Sequence, residues 1–167
     1  MTKIRGFEVV AEEHKKHFDV FTDEKGVKHN FPKDTILPTR ADARSAGYDL
    51  YVPKDIQLLP MQKTLVFTDV KAYMQDDEVL QLHIRSSLAV KSGIMLSNST
   101  GIIDASYYSN EGNDGNIGIA LVNTTGRTVE LKEGDRFAQG IFVNYLVADV
   151  DETLSEERIG GVGSSGK

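Results

Sequence analysis

The chain of 167 residues is 40% hydrophobic and 26% charged, carries a net charge of −6 and has no cysteine. These values describe a globular protein with one sizeable core. They exclude disulfides, a thiolate zinc site and a cysteine nucleophile, and they argue against a surface that coats nucleic acid. With no apolar run of about eighteen residues, and no long apolar stretch in "MTKIRGFEVV", a single cytoplasmic domain over residues 1–167 without membrane contact is expected.

In chain order, Ile4 to Val10 is short and apolar enough for a strand. "AEEHKKHFDVF" fits a helical turn or a loop, and "TDEKGVKHNFPKDT" reads as a turn-rich surface excursion. From Leu50 onward strand patterns dominate. "KTLVFTDVKAYM" (Lys63 to Met74) is rich in β-branched and aromatic residues. "EVLQLHIR" (Glu78 to Arg85) alternates, with Leu80, Leu82 and Ile84 on one face and Val79, Gln81, His83 and Arg85 on the other. Asn116 to Asn123, Arg127 to Leu131 and Phe137 to Val150 follow, separated by "NTTG" and "KEGD". Many short strands with turn signals between them predict an all-β barrel or sandwich. Long amphipathic helices and internal repeats are absent from the pattern.

Polar clusters fall at strand ends. In "RSSLAVKSG" (Arg85 to Gly93) a forked guanidinium is followed at once by two hydroxyls. That combination forms an anion cradle, and equally a helix start with Ser87 as N-cap. In "NSTGIIDASYY" (Asn98 to Tyr108) Asp104 ends an apolar run; it can orient water as a general base or cap a turn. The histidines, His14, His17, His29 and His83, do not form a ligand set and read as solvent-exposed. The tail "GGVGSSGK" (Gly160 to Lys167) has the spacing of a phosphate loop, Gly161 then Gly166 and Lys167. A Walker loop needs a strand before it, a helix after it and a Ser or Thr next to the Lys. Here the preceding "VDETLSEERI" is charged and without strand character. A flexible Gly/Ser tail and an arm that orders on phosphate both remain open.

Taken in order, "PTRADARSAGYDLY", "RSSLAVKSG", "NSTGIIDASYY", "GDRFAQG" and "GGVGSSGK" resemble the five motifs of the trimeric dUTP pyrophosphatases (dUTPases), over about Pro38 to Lys167. The resemblance implies an all-β, jelly-roll-like barrel that forms a homotrimer with sites between subunits, and hydrolysis of dUTP to dUMP and pyrophosphate with Mg2+. By that resemblance Asp49 holds the magnesium–triphosphate through water, and Arg85, Ser86 and Ser87 grip the phosphates. Asn98, Gly101, Ile102 and Ile103 read the uracil edge, and Asp104 activates the attacking water. Tyr107 lies beneath the deoxyribose and leaves no room for a 2′-hydroxyl, and Gln139 lies near the phosphates. Residues 151–167 form a closing arm through Arg158, Gly161, Val162, Gly163, Ser164 and Ser165, with Val162 where the family usually has Phe.

The polar stretch 107–118 is longer than the family's usual hairpin. That insertion and the added N-terminal stretch look like phage-encoded dUTPases, including those of staphylococcal phages. An alternative reading is a regulatory binding protein that uses the insertion against a protein partner such as a repressor. A further rival, dCTP deaminase, shares "RSSLA" but needs a glutamate in the strand after the Asp104 loop, and "IGIALVN" (Ile117 to Asn123) contains none.

Overall fold

The computed structural model describes residues 2–152. Among them are the strands β1 (Gly6–Val9), β2 (Phe18–Thr22), β3 (Lys28–Pro32), β4 (Thr39–Arg40), β5 (Tyr48–Tyr51), β6 (Ile56–Leu58) and β7 (Lys63–Phe67). They continue with β8 (Val70–Tyr73), β9 (Glu78–Ile84), β10 (Ile94–Leu96), β11 (Gly101–Asp104), β12 (Gly118–Asn123), β13 (Val129–Leu131) and β14 (Arg136–Asn144). The largest sheet has the order β11-β9-β14-β5-β4, a second runs β10-β12-β7, and β1-β8, β13-β6 and β2-β3 are pairs. All pairings are antiparallel. The all-β expectation holds.

Alternation explains the layering. Leu80 and Leu82 of β9 are buried, as are Ile119 and Leu121 of β12; Phe137 and Ala138 of β14 are consecutive and both buried where that strand shifts register. These side chains belong to one continuous core with Leu50, Leu58, Ile94 and Ile117. Leu80→Ala would leave a cavity there and cost about 2–5 kcal/mol.

Several boundaries differ from the sequence reading, each for a local reason. Lys63 to Met74 is two strands, broken at Thr68 and Asp69. Asp69 has φ 57°, and its carboxylate accepts the backbone N–H groups of Lys16 and His17 at 2.8 and 3.1 Å. The strand expected to run to Val150 stops at Asn144, because its partner ends there too: Asn144 is opposite Glu78, and the N–H of Tyr145 turns to the Asp77 carbonyl at 3.1 Å. The stretch read as a surface excursion supplies β3, which pairs with β2 from Phe18↔Pro32 to Thr22↔Lys28. Asp23 closes that hairpin by accepting the N–H groups of Lys25 and Val27, each at 2.9 Å. The "AEEHKKHFDVF" stretch contains a short 3-10 turn, Glu12–His14, before β2.

His17 is not solvent-exposed. It is buried at 8% exposure, and its Nε2 lies 2.7 Å from the Phe67 carbonyl. Nor is Ser87 an N-cap. It already has helical dihedrals, φ −62° and ψ −39°, and makes no side-chain cap hydrogen bond; a π-helical turn, Leu88–Ser92, follows and ends at Gly93 in the left-handed region.

Candidate active site

The central sheet builds two separate groups of candidate residues. The first lies where β5, β9 and β14 meet. Asp49 is opposite Gln139, which is opposite His83. The ladder continues past β9 through the Arg85 N–H to the Phe137 carbonyl, at 3.2 Å. On its β5 side, β14 shifts register between Arg136 and Ala138. A bulge of this kind redirects a side chain beside a site.

The result is a clamp on Asp49, which is only 6% exposed. Arg85 Nε lies 3.3 Å from Oδ1, and Arg136 Nη1 lies 3.2 Å from Oδ2. Each carboxylate oxygen therefore faces its own guanidinium, which offsets the cost of burying the charge. Beside it, Ser86 and Ser87 are exposed. Gly47 makes room for Gln139, since a Cβ there would stand 2.4 Å from Gln139 Oε1. Arg136, inside "GDRFAQG", is a member of the clamp that the motif reading does not include. The available signal was an Arg three residues before Gln139 in a strand that starts after a Gly-Asp turn.

The second group surrounds β11. Asn98 is exposed in the turn after β10, where the Thr100 N–H returns to the Asn98 carbonyl at 2.7 Å. On β11, Gly101 and Ile103 are buried while Ile102 is 54% exposed. Asp104 ends the strand on the solvent side and leads into a 3-10 turn, Ala105–Tyr107. Tyr107 is buried at 4% exposure. Its hydroxyl donates to the Asn116 carbonyl at 2.9 Å and accepts from Asn113 Nδ2 at 2.7 Å.

Within one chain Asp104 does not meet the clamp. Asp104 is paired with Val79, and Arg85 lies six residues further along the same strand direction. At about 3.3 Å per residue their backbones are roughly 20 Å apart. A cavity of about 220 Å³ lies elsewhere, lined by His17, Lys33, Tyr51, Thr68 and Glu133 among others, and includes none of the candidate residues. Among the described residues no cluster of three His, Asp or Glu could hold a metal. Arg158, Gly161, Val162, Gly163, Ser164 and Ser165 lie outside the described residues, as does the arm apart from residues 151 and 152.

Residues 33–166 match the family model described as dUTPase. The chain is 41% identical to the deoxyuridine 5′-triphosphate nucleotidohydrolase of Lactococcus lactis over 165 residues, 98% of this chain and 99% of that protein. It is 39% identical to the protein of the same name from Rattus norvegicus over 134 residues, 78% of this chain and 62% of that one. Among solved structures, a dUTPase from Streptococcus mutans superposes with a TM-score of 0.70 at 40% identity, over 87% of this chain and 99% of that chain. The dUTPase of phage phi11 of S. aureus gives 0.61 at 23% identity, over 84% and 97%, a likeness of fold alone. The phage resemblance therefore extends to architecture, while the higher identities are to the proteins of Lactococcus and Streptococcus. Since the match to the Lactococcus protein includes the N-terminal stretch as well as all five motifs, kinship rests on nearly the whole sequence: the chain belongs to the dUTPase family.

Proposed function

We infer that this protein hydrolyses dUTP to dUMP and pyrophosphate, in a site shared between copies of the chain. The single observation that carries the shared site is the separation of Asp104 from the Asp49–Arg85–Arg136 clamp. A water-activating base roughly 20 Å from the phosphate grip cannot serve it; a neighbouring copy can. A homotrimer with sites at its interfaces satisfies this requirement.

In that site the Arg85 guanidinium and the Ser86 and Ser87 hydroxyls bind the phosphates of dUTP, with Gln139 beside them. Asn98 and the backbone of Gly101 to Ile103 orient uracil. Tyr107 underlies the deoxyribose. Asp104 takes a proton from water as the water oxygen bonds to the α-phosphorus. The bond from that phosphorus to the oxygen bridging to the β-phosphate breaks, and pyrophosphate leaves. Arg158 and residues 161–165, which lie outside the described residues, would add further contacts to the triphosphate.

Magnesium fits the residues present in one specific way. Both Asp49 oxygens already face guanidinium groups, yet a carboxylate has about four lone-pair sites. Asp49 can thus accept hydrogen bonds from the waters of a hydrated Mg2+, which binds mainly through substrate phosphates. When bound, the ion neutralises phosphate charge.

The reading as a repressor-directed regulator gains less support. Asn110, Asp114 and Asn116 of the insertion are buried, so much of its polar surface is turned inward. No helix among the described residues is long and apolar enough to cross a membrane, and the cytoplasm is the compartment this function implies. The test is pyrophosphate release from dUTP, dTTP, UTP and dCTP with Mg2+. Release from dUTP alone is expected, and release from dCTP at an equal rate would overturn the assignment.

A further inference from the structure

The insertion is folded onto the N-terminal segment on one side and bonded to Tyr107 on the other. Asn110 Nδ2 donates to the Tyr107 carbonyl and to Asn113 Oδ1, each at 2.8 Å. Asn113 Oδ1 also accepts the Gly115 N–H at 3.1 Å, and its Nδ2 reaches the Tyr107 hydroxyl. Gly115 has φ +78°, and a Cβ there would stand 2.8 Å from the Tyr107 carbonyl oxygen. The loop thus closes tightly around Tyr107 because position 115 has no side chain.

The loop is in turn anchored from outside. Buried Asp114 receives Lys71 Nζ at 2.8 and 2.9 Å and the Ala11 N–H at 2.6 Å. Asn116 Nδ2 donates to the His14 carbonyl at 3.1 Å and to Asp69 Oδ1 at 2.9 Å. Asp69 meanwhile holds the Lys16 and His17 N–H groups. The Tyr108 hydroxyl donates to Glu8 at 2.6 Å. Residues 8–17 and 108–116 therefore form one hydrogen-bonded clasp, with the Tyr107 hydroxyl at its inner end.

We propose that this clasp sets sugar selectivity: Asn113 and Asp114 are positioning residues that hold the Tyr107 ring rigid beneath the deoxyribose. The proposal rests on the reading of Tyr107 as the sugar platform. UTP differs from dUTP by one hydroxyl. An apolar wall discriminates against an added hydroxyl only as far as it refuses to move, and a displacement of about 1 Å is enough to degrade such a site. A ring bonded only to mobile solvent would yield. Here it is bonded to a loop that is itself tied to β8 and to the N-terminal segment.

The test is kcat/KM for dUTP and for UTP, measured on the full chain and on Asn113→Ala, Asp114→Ala and Tyr107→Ala. Asn113→Ala is expected to lower the dUTP-to-UTP ratio by about two- to tenfold, the equivalent of one hydrogen bond, through faster turnover of UTP. Asp114→Ala should do the same, and Tyr107→Ala should lower the ratio further. General damage would slow both nucleotides alike and leave the ratio unchanged. If Asp114→Ala does not fold, Asn113→Ala decides. An unchanged ratio in Asn113→Ala with a collapsed ratio in Tyr107→Ala overturns the clasp and leaves the platform standing. An unchanged ratio in Tyr107→Ala overturns the platform itself.

Discussion

Arg136 and Asp49 face each other across a bulge, Nη1 to Oδ2 at 3.2 Å. Arg136 is the outer arm of the clamp, and Arg85 is the inner one. The Arg136 side chain is about half exposed, so solvent weakens the pair, and Arg136→Ala should cost no more than about 1 kcal/mol of stability. The functional effect should be larger than the structural one, because Asp49 is then free to turn toward Arg85 and away from the phosphates. KM for dUTP is expected to rise several-fold at nearly constant Tm. An unchanged KM would remove Arg136 from the site.

Asp104→Asn should retain nucleotide binding and lose turnover by about 10²–10⁴-fold, since an amide cannot take the proton from water. Calorimetry with a non-hydrolysable dUTP analogue separates the two effects. Turnover near that of the unmutated protein would exclude Asp104 as the base.

Gly47→Ala tests Gln139 without touching it. The new methyl would collide with Gln139 Oε1, the far end of a flexible side chain, and press on Gln139 Cβ at 3.3 Å, a contact that a shift of a few tenths of an ångström relieves. Stability should stay within about 1 kcal/mol while kcat/KM falls. Equal activity would show that Gln139 does not contact the phosphates.

Acid should loosen the fold at two buried carboxylates. Glu78 lies below the ordinary carboxylate value because Arg5 hydrogen-bonds it, an effect that exceeds the opposing effect of burial. Burial pushes Asp114 up, but Lys71 and the Ala11 N–H outweigh it, and the net direction is down. A depressed folded-state pKa gives stability that is fully present above the unfolded value, about 3.9 for Asp and 4.3 for Glu, and is lost as pH falls through the folded value. Tm should therefore be flat from about pH 7 to 5 and fall below about pH 4. Glu78→Gln should start from a lower Tm and show a shallower fall. Parallel curves would contradict this role for Glu78.

The strands were legible in the sequence because their information is local. Alternation in β9 gives its faces, and turn residues give most of its neighbours' ends. The β2–β3 hairpin was legible in principle too, since an Asp stands three residues before Gly26 between two apolar stretches, but its charged turn disguised it. The buried position of His17, the break at Asp69 and the clamp by Arg136 were not legible. Each depends on a partner tens of residues away: Asp69 with Lys16 and His17, Asn116 with Asp69, and Arg136 with Asp49. Single-sequence spacing carries no trace of such pairs. The candidate site was legible as motifs, and its division between subunits through the family resemblance, but the distance between Asp104 and Arg85 was not, because that follows from strand register.

That division is the central claim, and complementation tests it most directly. Asp104→Asn and Arg85→Ala each disable a different half of the site, and three copies of the 18.4 kDa chain give an assembly of about 55 kDa. Unfolding the two inactive variants together and refolding them as mixed assemblies should restore about a quarter of the original dUTP turnover, since random pairing leaves that share of interfaces with both halves intact. Turnover no greater than that of either variant alone, in mixed assemblies of the expected mass, would contradict a site shared between chains.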